Sequence, residues 1–148
     1  MSIKQAIQEA IKEAMKRQEK LRLESLRMGK AALLMAEKET AKDQELSDEQ
    51  AIQALRSEVR KRQQSMETYL SLGQAEEVEK LREEIAVLEE FLPAQLGEEQ
   101  LEAKVRAYLA EHPDMNHAGK LTGAMKKELG DLADGKVLND VCRRVLGA

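Results

Sequence analysis

Apolar residues recur every three to four positions along most of the chain, and this spacing predicts seven helices and no strand. Ile3, Ile7, Ile11 and Met15 step by four, with Ala6, Ala10 and Ala14 alongside, and define the first helix. The phase breaks at Lys16–Glu19. The next run is apolar on two faces, Leu23, Leu26, Leu33 and Leu34 on one and Leu21, Met28, Ala32 and Met35 on the other, and should end within residues 38–45. Gly29 inside it implies a close crossing with a neighbouring helix. Ser47 followed by Gln50 reads as a capping box that opens a third helix. The stripe of that helix runs through Ile52, Leu55, Val59, Met66, Tyr69 and Leu70, interrupted by Arg62 and Gln63 where an apolar residue is due. Gly73 stops it. A fourth helix carries Val78, Leu81, Ile85, Leu88 and Phe91 or Leu92, and Pro93 ends it.

The style of the sequence changes at LPAQLGEE. Long, highly charged helices precede it, whereas six of the eight glycines lie at or beyond Gly97. The expected organisation is all-α in two helical lobes. An N-terminal bundle of about four long helices spans 1–92, a hinge spans 93–97, and three shorter helices span 98–148. Leu101, Val105, Tyr108 and Leu109 form the fifth helix, which ends at His112-Pro113. The sixth is expected from about Met115 to Leu129, capped by Asp114 or Asn116, with Leu121, Ala124, Met125 and Leu129 inward. Gly130 stops it, and Asp134 caps a seventh whose core is Val137, Leu138, Val141, Val145 and Leu146.

Composition agrees with helices: strong helix formers dominate, and only Tyr69, Phe91 and Tyr108 are aromatic. The charged fraction is 35%, but the apolar residues fall in stripes, which argues against disorder. A net charge of −4 gives no global pull toward nucleic acid. Residues 1–30 nevertheless hold eight Lys/Arg against four acids, and residues 76–90 two against seven. The basic excess is either a mixed solvated face or a local binding patch. One cysteine fits a reducing compartment. No apolar run approaches bilayer length. The N-terminus lacks the apolar core of a secretory signal, so a cytoplasmic location is expected.

Catalytic groups are scarce. There is no phosphate-binding G-x-x-x-x-G-K-[ST] and no serine in a nucleophile elbow. Cys142, between Val141 and Val145, reads as a buried thiol. His112, Asp114 and His117 span a proline turn with a five-residue gap that suits metal ligation poorly, so they read as turn and cap residues. The first helix lacks the Trp or Phe anchors of a membrane-surface helix, and core packing explains it.

The segment GKLTGAMKKELGDLADGK, residues 119–136, has glycines at a helical spacing. On a helix Gly119 and Gly123 stack one turn apart, with Lys120 and Lys127 at the edge of the stripe and Lys126 extending the basic character. Asp134-Gly135 would turn the N-terminus of the last helix outward beside Lys136. Either the small residues let the fifth or seventh helix cross tightly, or the stripe and helix end cradle phosphates.

The run Gly119-Lys120-Leu121-Thr122-Gly123-Ala124-Met125, followed by Leu132-Ala133-Asp134-Gly135-Lys136-Val137, resembles the C-terminal signature of the YqeY family. LRLESLRMGK from Leu21 to Lys30, the helix QAEEVEKLREEI and the hinge EFLPAQL from Glu90 to Leu96 resemble its other segments. Ala118 and Thr122 stand where that family usually has methionine, and Leu132 where a basic residue is frequent. The resemblance implies a two-lobe helical protein related to the helical tail of the B subunit of glutamine-dependent aminoacyl-tRNA amidotransferase. It therefore implies tRNA, or a tRNA-processing enzyme, as a partner. Family labels carry a carbon–nitrogen ligase activity with glutamine as amido donor, but no residue here is expected to be catalytic and no cofactor or metal is expected. With that partner, the residues expected to meet RNA are Gly119, Lys120, Gly123, Lys126, Lys127, Asp134, Gly135 and Lys136, with Lys120, Lys127 and Lys136 on phosphates, Gly119 and Gly123 as the close-approach surface and Asp134-Gly135 as the turn. The alternatives are a protein-interaction adaptor using the N-terminal helices, or an accessory component of such a ligase.

Overall fold

The computed structural model describes residues 1–40 and 44–147, and the described residues form α-helices, turns and loops with no strand. Seven α-helices follow one another: α1 (Ile3–Lys16), α2 (Lys20–Glu39), α3 (Asp48–Ser71), α4 (Ala75–Glu89), α5 (Glu98–Glu111), α6 (Ala118–Leu129) and α7 (Gly135–Leu146). A single 3-10 turn, Gly130–Leu132, links the last two. The chain divides into two compact units, Met1–Leu92 and Pro93–Ala148. Part of the window foreseen for the end of α2, residues 41–43, lies outside the described residues.

In the first unit Ile7, Leu33, Ala51, Leu55, Val59, Ile85 and Leu88 form the core. Capping boxes open α1 and α3: the Ser2 and Ser47 hydroxyls accept from the Gln5 and Gln50 N–H groups, and both glutamine side chains accept the cap N–H in return. Gly29 marks a crossing, because a Cβ built there would lie 2.9 Å from Leu88 Cδ2. Gln18 occupies the left-handed region, φ 56°, in the tight connection between α1 and α2.

Several positions expected on apolar stripes are outside, Leu34 among them. Met15 is 54% exposed while Ala14 is buried, because steps of four drift around a helix of 3.6 residues per turn and the buried line moves to the i+3 position. Leu70 is 70% exposed. It sits in the last turn of α3, and of the stretch beyond Arg62 on that helix only Met66 packs against the core.

The interruption at Arg62 has a structural cause. Its side chain is buried, Nη1 donates to Glu58 Oε2 at 2.8 Å and Nη2 approaches Met28 Sδ at 3.2 Å. Arg62 Nε lies 3.4 Å from Glu84 Oε2 of α4, but without hydrogen-bond alignment, so that N–H is buried and unsatisfied. Burial alone would raise the Glu58 pKa; the hydrogen bonds and charges of Arg62 and Lys61 outweigh it and hold the carboxyl below its usual range.

The second unit packs Leu101, Val105, Leu121, Met125, Ala133, Leu138, Val141 and Cys142 together. Residues at the start of this unit are tied into it: Leu96 N–H donates to Leu132 O at 2.8 Å, and Gln95 Nε2 to Asp131 O at 3.0 Å. Cys142 is fully buried, and burial pushes its thiol pKa up, opposed in smaller part by the neighbouring Thr122 side chain.

Candidate functional site

The sixth helix begins at Ala118, not near Met115, and its N-cap is His117, not Asp114 or Asn116. His117 Nδ1 accepts the Lys120 N–H at 3.3 Å, satisfying one of the otherwise unpaired amides of the first turn. Residues 112–117 form the turn before it. His112 stacks on Tyr108 with ring centroids 4.0 Å apart, and its Nδ1–H donates to Tyr108 O at 3.0 Å. Among the described residues no three His, Cys, Asp or Glu side chains converge as a metal site would require.

Leu121 and Met125 turn α6 inward, so the opposite face carries Gly119, Lys120, Gly123 and Lys127, all exposed. The glycines do not serve a helix crossing. A Cβ at Gly123 would meet nothing within 4 Å, and one at Gly119 only the His117 ring at 3.1 Å. The tight-packing reading of the stripe is therefore excluded for this unit. The Lys120 and Lys127 ammonium groups make no hydrogen bond or ion pair among the described residues, and Glu128 lies on the other side, in a depression of about 250 Å³ shared with α5.

Lys126 has a different task. Its Nζ donates to Gly130 O at 3.0 Å and to Ala133 O at 2.5 Å, so the cation closes the end of α6 and fixes the turn that follows. Gly130 adopts φ 57°, ψ −131°, dihedrals essentially reserved for glycine. Ala133 is buried, and Asp134 Oδ2 accepts the Val137 N–H at 3.1 Å as the N-cap of α7. That carboxylate occupies the helix end, where an incoming phosphate would meet a negative charge. Gly135 and Lys136 follow it, both exposed.

Thr122 joins the two helices. Its hydroxyl donates to Ala118 O at 2.8 Å and lies 3.1 Å from the Asn139 side-chain amide of α7. The edge of α7 beside α6 thus carries Lys136, Asn139 and, two turns on from Lys136, Arg143. Arg143 is exposed, whereas its neighbour Arg144 pairs with Glu98 and Glu102 of α5. Arg143 was missed from the sequence, although its seven-residue spacing from Lys136 was a readable signal.

The model of a family described as Yqey-like protein matches residues 4–146 of the chain. No curated protein matches it.

Proposed function

The chain belongs to the YqeY family, and from that premise we propose that it is a non-catalytic tRNA-binding module, acting alone or beside a tRNA-processing enzyme. The observation that carries this reading is the outward face of α6. Gly123 has no internal neighbour that needs its small size, yet an exposed mid-helix glycine costs roughly 0.5–1 kcal/mol relative to alanine; Gly119, in the first turn, meets only the His117 ring. A surface without side chains allows a second backbone to come close, and the lysines at its edge, Lys120 and Lys127, suit an anionic one. Lys136 and Arg143 extend the same edge onto α7. Lys126, Asp134 and Gly135 build the turn that holds α6 and α7 together, and contact phosphate only secondarily.

Phosphate contact makes affinity fall with salt, by a slope of about 0.9 per contact. The test is an anisotropy titration of unfractionated tRNA with the intact chain and with its Lys120→Ala/Lys127→Ala/Lys136→Ala variant, over a salt series. The intact chain should bind with a steep salt dependence and the variant with a shallower one. No binding at low salt, or equal slopes, overturns the reading.

A further inference from the structure

The second apolar face of α2 is only partly covered among the described residues: Met28 receives Arg62 Nη2 at 3.2 Å, and Met35 lies open. Leu26 and Leu33 are buried, whereas Met28 and Met35 on the other face are exposed, Met35 by 65%. This face forms one wall of an open groove of about 740 Å³ between α2 and α3, in which Ala32, Met35 and Ala36 face Ala54 of α3. The groove runs beside residues 32–39 of α2 and 49–61 of α3, about 12–20 Å at 1.5 Å per residue, or roughly two to three and a half helical turns.

An apolar strip of three alanines and Met35, bordered by the polar side chains Gln50, Gln53 and Ser57, is the kind of mixed groove that takes an amphipathic helix through side chains at i, i+3 or i+4, and i+7. The charges at the rim define the visitor. Lys61 is 3.4 Å from Glu58, which also binds Arg62. Glu39, Glu49 and Glu58 line the groove against the single cation Lys61, so the lining charge is net negative. A second copy docking through the same groove would set these carboxylates against each other.

We propose that the α2–α3 groove seats an amphipathic helix of a partner protein, one whose aliphatic face is flanked by lysine or arginine. This rests on the first unit alone and is independent of the tRNA reading. The probe is a fluorescein-labelled synthetic peptide of leucine and lysine in helical amphipathic order, with a leucine–glutamate peptide of the same pattern as its counterpart. The full chain should bind the lysine peptide, and the peptide should gain helical circular dichroism. Met35→Ser, at a position too exposed to threaten folding, should weaken binding about tenfold, as loss of a central apolar anchor does. Glu39→Gln/Glu49→Gln should weaken it severalfold, and the glutamate peptide should bind at least tenfold more weakly. Equal affinity for both peptides, no binding of either, or indifference to Met35→Ser overturns the proposal. So does a dimer of the chain in sedimentation equilibrium that Met35→Ser dissolves, because the occupant would then be a second copy.

Discussion

Gly29 and Gly123, one in each unit, are alike in the sequence: both are glycines set in a run of strong helix formers. Their surroundings are opposite. A Cβ at Gly29 would press on Leu88 Cδ2 at 2.9 Å and stand 3.6 Å from Leu55 Cδ2, while one at Gly123 would meet open space. Gly29 is required by the fold; Gly123 costs the fold helix stability without any internal return. The units differ in the same way over charge. The first buries Arg62 and Glu84, whereas the buried residues of the second are all uncharged. Specificity in the first unit comes from a tight crossing and a buried ionic network. The second has no buried charge among its described residues, and there a lysine that binds carbonyls fixes the turn between its last two helices.

The hardest test of this contrast is Arg62→Ala. It leaves the buried Glu84 without its cation and Glu58 with Lys61 alone, and removing one partner of a buried pair costs about 3–5 kcal/mol. Because Glu58 is partly exposed, about 3 kcal/mol is expected, read as a lowered urea midpoint for helix loss. The pH dependence follows from the depressed Glu58 pKa. A carboxyl held below its unfolded value adds stability above that value and loses it as pH falls through the folded one. The parent should therefore weaken below about pH 4, the range of an unfolded glutamate, and Arg62→Ala should lose the share of that acid dependence that Arg62, and not Lys61, supplies. The buried Cys142 thiol gives an independent reading of the second unit. If the units unfold separately, alkylation of Cys142 against urea will keep its midpoint in Arg62→Ala. A parallel shift would mean that the two unfold together.

The glycines themselves come next. Gly29→Ala gains about 1 kcal/mol of helix propensity but overpacks against a fully buried leucine, at about 1–3 kcal/mol. A net loss of about 1 kcal/mol is expected in the same urea series. Gly123→Ala should do the reverse and stabilise the second unit by roughly 0.5–1 kcal/mol, seen as a later Cys142 alkylation midpoint. On the tRNA reading its affinity should fall while stability rises. An alanine variant that is more stable and binds tRNA as well as the parent would leave the exposed glycine without an explanation.

The sequence made most of this readable where the physics is local. The S-x-x-Q box at Ser47, the glycine stop at Gly73 and the aspartate cap at Asp134 each follow from a few adjacent residues, whereas α4 ends at Glu89, four residues short of Pro93, and leaves Phe91 and Leu92 outside the helix. The close crossing at Gly29 was also legible, because only a neighbour could explain a glycine between so many leucines. Other features depend on what lies across the fold. Arg62 interrupted a stripe, but nothing local announced that Glu84, twenty-two residues on, would meet it. The burial of Ala14 in place of Met15 needed the pitch of α1 against α2. The family resemblance and the eight site residues came from the motif, yet Lys126 proved to be engaged by carbonyls that only the folded turn brings within reach. His117 was read as a turn residue; its capping role depends on a ring nitrogen finding the Lys120 amide.

That cap offers the smallest effect and the clearest separation of folding from binding. His117 accepts a single long hydrogen bond of 3.3 Å at the start of α6. Aspartate is among the best residues at this position, and its charge also favours the positive end of the helix dipole. His117→Asp should therefore stabilise the second unit by about 0.5 kcal/mol, a slight delay in Cys142 alkylation. The same carboxylate would stand beside Gly119 and Lys120. Its repulsion of a phosphate some 6–8 Å away in water is about 0.5–0.7 kcal/mol, a two- to threefold loss of tRNA affinity at low salt. Added salt should erase most of that loss, since the Debye length at 0.15 M is about 8 Å. If stability rises and tRNA binding does not change at low salt, the phosphate lies elsewhere and the outward face of α6 is not the contact surface. If both change as expected, the start of α6 is set by what it binds and not by what would hold it best.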